Sequence, residues 1–193
     1  MKNINYPNGI KKEFVNMCSH SNRGMNLEAD LNDTNEYYLY NDIAIIYKKP
    51  TPITINKVNY KGRNDAVITE AHFKIPSTTD YNGIYKGKYI DFEAKETKSL
   101  TAFPLSNIHN HQILHLERIK KQGGIGFIIV KFTRLNKTYI LYIEDLLDFI
   151  NNEDRKSIPT SYFDKKGILI KEGINPRYDY LKIIDERIKY EKD

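Results

Sequence analysis

"YIDFEAKET", residues 89–97, is the stretch on which the fold turns. It reads as a strand, in which successive side chains point to opposite faces. Ile90, Phe92 and Ala94 form an apolar face suited to a core. Tyr89, Asp91, Glu93, Lys95 and Thr97 form the other, with neighbours about 6.6 Å apart at Cα. Two carboxylates in a row repel each other. A divalent cation relieves that repulsion, and Lys95 balances part of what remains. The plain alternative is a half-exposed strand whose charged face is simply solvated.

The residues upstream favour the cation. Asp80 stands twelve intervening residues before Glu93, just ahead of the turn-prone "YNG". A hairpin running from 80–85 into 89–95 would bring Asp80 beside Glu93. Phosphodiester hydrolysis sets a poor nucleophile, water, against an anion. Mg²⁺ is hard, takes oxygen ligands, and typically uses one or two carboxylates plus substrate phosphate. Asp80 and Glu93 supply the carboxylates, and Lys95 supplies a compact charge to hold water or offset transition-state charge.

Length and composition bound the setting. The chain has 193 residues, enough for one domain with a core. It is 40% hydrophobic and 28% charged, ordinary for a globular protein. No apolar run approaches the roughly 18–20 residues of a membrane span. A single cysteine, Cys18, and no secretory leader point to a reducing, cytoplasmic setting and no membrane partner. A formal charge of +5 fits a polyanionic partner.

Outward from the strand, the pattern is α/β with a mixed sheet. Residues 1–21 read as a flexible arm, and 22–193 as one domain. A helix capped by Ser21 or Asn22 carries Met25, Leu27, Leu31, Tyr38 and Leu39 on its stripe. "IAIIYKK" (43–49) reads as a buried strand. Residues 53–74 read as a projecting hairpin with a basic tip at Lys61 and Arg63. "HNHQILHLERIKKQGG" is an amphipathic helix ended by Gly123 and Gly124. "IGFIIVKF" and "TYILYIEDLLDFI" give two strands, the second running into a helix, and the tail closes with another helix.

Asp80, twelve residues and "EAK" (93–95) resemble the PD-(D/E)xK nuclease signature. A wider set of strings is similar to the RecU-type Holliday junction resolvases: "SNRGMNLE" (21–28), "KKPTP" (48–52), "STTDYNGIYKG" (77–87), "YIDFEAKET" and "FPLSNIHNHQILH" (103–115). The resemblance spans about residues 21–180. It implies a restriction-endonuclease-like core with a β-hairpin stalk, and a Mg²⁺-dependent homodimer that cuts four-way DNA junctions in recombination and repair, with Mn²⁺ able to substitute. It places Thr78, Asp80, Glu93 and Gln112 at the Mg²⁺ and Lys95 at the transition state. It matches Arg23 to a DNA-binding arginine and Arg63 to the stalk tip. It also implies contact with the RecA recombinase.

Other residues carry weaker expectations. Lys48, Lys61, Arg63, Lys86 and Lys88 are candidates for DNA phosphates, with Lys86 and Lys88 expected to border the metal site. Glu28, on the first helix, is either an accessory group near the metal or an exposed helix charge. Asp91 either supports the site as an acceptor behind Glu93 or pairs with a neighbouring lysine. His111 and His115 have the i, i+4 spacing of a zinc pair, but Gln112 stands where that motif needs a base; flanking Gln112 or contacting phosphate fits them better. Two rival readings are a sequence-specific restriction endonuclease and a non-cutting junction-binding accessory protein that modulates strand exchange.

Overall fold

The computed structural model describes residues 26–60, 62, 65–74 and 78–190. In chain order, α1 (Leu27–Tyr40) leads into β1 (Ile45–Lys48), β2 (Ile53–Tyr60) and β3 (Ala66–Phe73). Next come β4 (Tyr81–Tyr85), β5 (Lys88–Thr97) and β6 (Ala102–Pro104). α2 (Asn110–Lys121), β7 (Ile125–Phe132), β8 (Lys137–Tyr142) and α3 (Ile143–Asn152) follow. β9 (Ser157–Pro159), α4 (Thr160–Lys166), β10 (Ile168–Ile170) and α5 (Leu181–Tyr190) complete the described chain.

The opening stretch is β5, and it lies inside a six-stranded sheet ordered β1-β4-β5-β7-β8-β10. β4 and β5 form a two-residue hairpin. Lys86 and Gly87 both have positive φ, 48° and 77°, the backbone that matches the right-handed twist of paired strands. β5 and β7 run parallel while every other pair in this sheet is antiparallel. A parallel pair needs a crossover, and α2 lies within it.

Alternation along β5 gives its apolar face to one of two cores and leaves its polar face toward the other side of the sheet. Ile90 and Phe92 join α1 and α5 through Leu27, Leu31, Leu181 and Ile184. Phe92 is stacked between Tyr81 and Phe127, each at 4.8 Å between ring centroids. The opposite core holds Leu116 of α2, Leu146 and Phe149 of α3, and Ile128 and Val130 of β7. β7 is buried along its whole length, so it is covered on both faces and reads as a continuous apolar run.

Several expectations change. α1 begins at Leu27 with Asn26 as its cap, its side chain accepting the Glu28 N–H, rather than at Ser21 or Asn22. Leu39 lies on the exposed side of that helix. Residues 43–49 make an edge strand with Ile45 and Tyr47 exposed, not a buried one; only one sheet neighbour covers it. The hairpin of β2 and β3 forms its own two-stranded sheet. Every residue of β3 is exposed, so this ribbon contributes nothing to either core. Lys61 and Arg63 lie outside the described residues, as do Arg23, Cys18 and the arm at 1–21. Among the described residues no helix is long and apolar enough to cross a membrane.

Candidate active site

The hairpin of β4 and β5 does what the spacing demands. Tyr81 pairs with Phe92, so the residue before Tyr81 meets the residue after Phe92: Asp80 meets Glu93. The Asp80 carboxylate is held in place by the Ala94 N–H, 3.2 Å from Oδ2. Its backbone carbonyl accepts the Lys49 N–H at 2.7 Å.

Glu93 is fully buried, and neither of its carboxylate oxygens has a hydrogen bond. Its closest charged contact is Lys95, with Nζ 2.5 Å from Oε1, and the Asp80 carboxylate is a second charged neighbour. Burial pushes the Glu93 carboxyl up to about 7, the Asp80 charge pushes the same way, and Lys95 pulls it down. A buried carboxylate normally collects donors. This one faces a second carboxylate instead, and like charges side by side disfavour the ionised form.

Asp91, two residues away on the same face, is the opposite case. It is also fully buried, yet it is saturated. Oδ2 receives Lys49 Nζ at 2.8 Å, the Tyr89 hydroxyl at 3.0 Å and His115 Nε2 at 3.1 Å. The Thr79 hydroxyl donates to Oδ1. Asp91 is therefore the ion-pair partner of a lysine, Lys49, and holds the strand to its surroundings.

The other expected donors have partners of their own. Thr78 is exposed, and its hydroxyl accepts from Lys49 Nζ at 3.1 Å. Gln112 is buried in the first turn of α2, where its Oε1 accepts the His109 N–H at 2.9 Å. That bond uses one of the two lone pairs of the amide oxygen. Among the described residues no three of His, Cys, Asp and Glu stand close enough to hold an ion by themselves. A cation here would therefore draw on two carboxylates plus neutral oxygens, water or phosphate. That is a fit for Mg²⁺ chemistry and a poor one for zinc; His115 is spent on Asp91, and His111 stacks on His109 at 5.4 Å.

Glu28 lines a cleft together with Asn26, Asp80, Tyr81, Lys95 and Glu96. It pairs with Lys48, and both side chains are exposed. With Asp80 it helps raise the Tyr81 hydroxyl pKa, behind the larger effect of burial. Glu96 lines the same cleft and accepts the Leu27 N–H at 3.1 Å, anchoring the start of α1. Lys86 and Lys88 do not border Glu93. They sit at the turn end of the hairpin, about 16 Å of strand away, because a hairpin that joins Asp80 to Glu93 sends its turn to the far end. Lys86 pairs there with Asp185 of α5 at 2.6 Å. Lys88 opens β5, half-buried.

Residues 22–186 match the family model described as RecU, recombination protein U. This chain belongs to the RecU family. A Holliday junction resolvase RecU from Bacillus mycoides (strain KBAB4) is 49% identical over 193 residues, covering 94% of this chain and 96% of that protein. The RecU of Bacillus cytotoxicus is 50% identical with the same coverage. A 1.6 Å structure of Archaeoglobus fulgidus Hjc, a Holliday junction resolvase, overlays with a TM-score of 0.42 at 13% identity, over 74% of this chain and 92% of that one. That likeness is too loose to build on.

Three residues of this centre carry no sequence signal of their own. Lys49 is one lysine of a basic pair, Thr79 one hydroxyl of a pair, and Tyr89 one of 15 tyrosines. Nothing in spacing separates Lys49, buried on Asp91, from Lys48, exposed beside Glu28.

Proposed function

We propose that this chain is a metal-dependent endonuclease that resolves four-way DNA junctions by paired cuts, one from each subunit of a homodimer. The observation that carries the reading is the Glu93 carboxylate: buried, without hydrogen bonds, and opposite Asp80. In this reading Asp80 and Glu93 hold Mg²⁺, or Mn²⁺ in its place, with Thr78 and Gln112 as neutral oxygen donors. The ion supplies Lewis acidity to the phosphoryl oxygen and a lowered pKa for its water.

The chain's own residues do the rest. Asp80 stays in line through its bond to the Ala94 N–H. Lys95 is only a quarter exposed, so its ammonium acts at reduced dielectric on charge developing at the phosphate. With the Glu93 charge balanced by a bound ion, the Lys95 ammonium would be available to the substrate phosphate. Lys48 and Lys88, with Arg23, Lys61 and Arg63, serve as phosphate contacts, and Lys86 does so by exchanging Asp185 for DNA. A junction has approximate two-fold symmetry, and two symmetric cuts need two sites related by a two-fold axis. RecA is a further partner in this reading.

The deciding experiment incubates the protein with a labelled four-way junction and a matched linear duplex, with and without Mg²⁺. Metal-dependent paired nicks in the junction alone support the proposal. Preferential cutting of the linear duplex would instead make it a restriction-type endonuclease. Junction binding with no cutting under any divalent ion would make it an accessory protein.

A further inference from the structure

We propose that Lys49 and His115 are positioning residues that pre-set the metal site through Asp91. The inference rests on the reading of Thr78, Asp80, Glu93 and Gln112 as metal donors. Those four come from three separate segments: the approach to β4, β5 itself, and α2. Nothing in the donors' own chemistry holds the three together. Two carboxylates facing each other push apart.

The Asp91 cluster joins the same three segments. An ammonium has three donors, and Lys49 has three acceptors for them: Asp91 Oδ2 at 2.8 Å, Thr79 Oγ1 at 2.6 Å and Thr78 Oγ1 at 3.1 Å. Its backbone N–H adds the bond to the Asp80 carbonyl at 2.7 Å. Lys49 thus grips 78, 79 and 80 in succession and ties them to β5. His115 lies three residues after Gln112 in α2 and reaches Asp91 Oδ2 through Nε2 at 3.1 Å. A carboxylate only accepts, so Nε2 carries the proton. Asp91 is two residues before Glu93. Each donor segment is therefore fastened to one buried carboxylate within three residues of the donor it carries. Lys49 is 14% exposed at its side chain with its donors directed inward, which sets it apart from the lysines available to phosphate.

Partners that orient metal ligands from behind are commonly worth 10–100-fold in metal affinity. The test is Mn²⁺ binding to the intact protein without DNA, read as the loss of the free-Mn²⁺ resonance signal, for Lys49→Met, His115→Leu, His115→Gln and Asp80→Asn. Gln places its amide nitrogen near the position of His Nε2 and keeps the donor. We expect Lys49→Met and His115→Leu to weaken Mn²⁺ binding by about 10-fold or more and His115→Gln to stay close to the parent. Metal-free junction binding should be unchanged in both histidine variants. Wild-type Mn²⁺ affinity in His115→Leu, with Asp80→Asn impaired, overturns this proposal and leaves the metal site standing. Unimpaired Mn²⁺ binding in Asp80→Asn overturns the metal site itself. If Lys49→Met does not fold, the Leu and Gln pair at 115 decides alone.

Discussion

Replacing Glu93 with Gln should stabilise the metal-free protein while abolishing its cutting. Glu93 ordinarily titrates near 4.5 and is pushed up to about 7 here. The native state therefore binds more protons than the unfolded state between those values, so stability falls as pH rises through them and then levels off. At 1.36 kcal/mol per pH unit, the ionised group costs about 3 kcal/mol at pH 8 and about 1 kcal/mol at pH 5.5. Gln is neutral at both. For a chain of this length, 1 kcal/mol moves the melting temperature by about 2–4 °C. The variant should melt about 6–12 °C above the parent at pH 8, with a gain about two- to three-fold smaller at pH 5.5. Divalent ion should close most of the gap at pH 8 and reverse the order at pH 5.5. Saturating Mg²⁺ at about 100 times its Kd adds about 2.7 kcal/mol to the parent and little to the variant. Scanning calorimetry in chelator and in Mg²⁺, at both pH values, measures all four numbers. A variant that melts lower than the parent in chelator at pH 8, or whose gain ignores pH, would refute the claim that Glu93 is held at a cost for a cation.

The remaining predictions bear on the neighbours. Asp80→Asn should bind a four-way junction as the parent does in chelator and lose cutting; equal loss of both by gel shift and cleavage assay would remove its role as a ligand. Lys95→Met should lower the cutting rate by about 10²–10³-fold. It should also move the midpoint of Mn²⁺ binding to higher pH, since Lys95 holds the Glu93 pKa down; an unmoved midpoint counts against their pairing. Replacing residues 54–72 with a short Gly-Ser turn should leave the melting temperature nearly unchanged, because β3 is exposed throughout. It should lower the salt dependence of junction binding by about 0.9 in log–log slope for each DNA phosphate that the stalk no longer neutralises. Gly83→Ala should cost about 1–3 kcal/mol in denaturant unfolding, since a Cβ there would meet the Ile45 carbonyl at 2.0 Å. Prising β1 from β4 also displaces Lys49, so cutting should fall with it.

What was legible in the sequence was whatever strand alternation and turn chemistry govern. The hairpin of β4 and β5 followed from 80–85 running back into 89–95, but its positive-φ turn falls at Lys86–Gly87, while the turn-prone "YNG" lies within β4. The stalk was legible because its arms were too polar for a core. β1 was misjudged because an apolar run looks the same in the centre of a sheet as at its edge. The ribbon of β6 with β9 and the short α4 and β10 were missed. Each has only three to seven residues, too few to show a period, and each is fixed by tertiary contacts such as the Leu105 N–H on the Lys156 carbonyl at 3.0 Å.

Asp91 and Glu93 show where the reading of a site from sequence ends. They have neighbouring positions, the same face and the same burial, so no pattern separates them. What separates them is the supply of donors. β1, Thr79 and α2 converge on Asp91 and satisfy it, while Asp80 is the group set opposite Glu93. A buried ion pair stripped of one partner typically costs 3–5 kcal/mol. Truncating Asp91 would thus leave Lys49 uncompensated, whereas neutralising Glu93 would relieve a repulsion. One carboxylate holds the fold together, and the other is held by the fold against its own preference. Opposite signs of stability change for Asp91→Asn and Glu93→Gln in chelator at pH 8 follow directly, and two variants that both destabilise would show that Glu93 is ordinary structure.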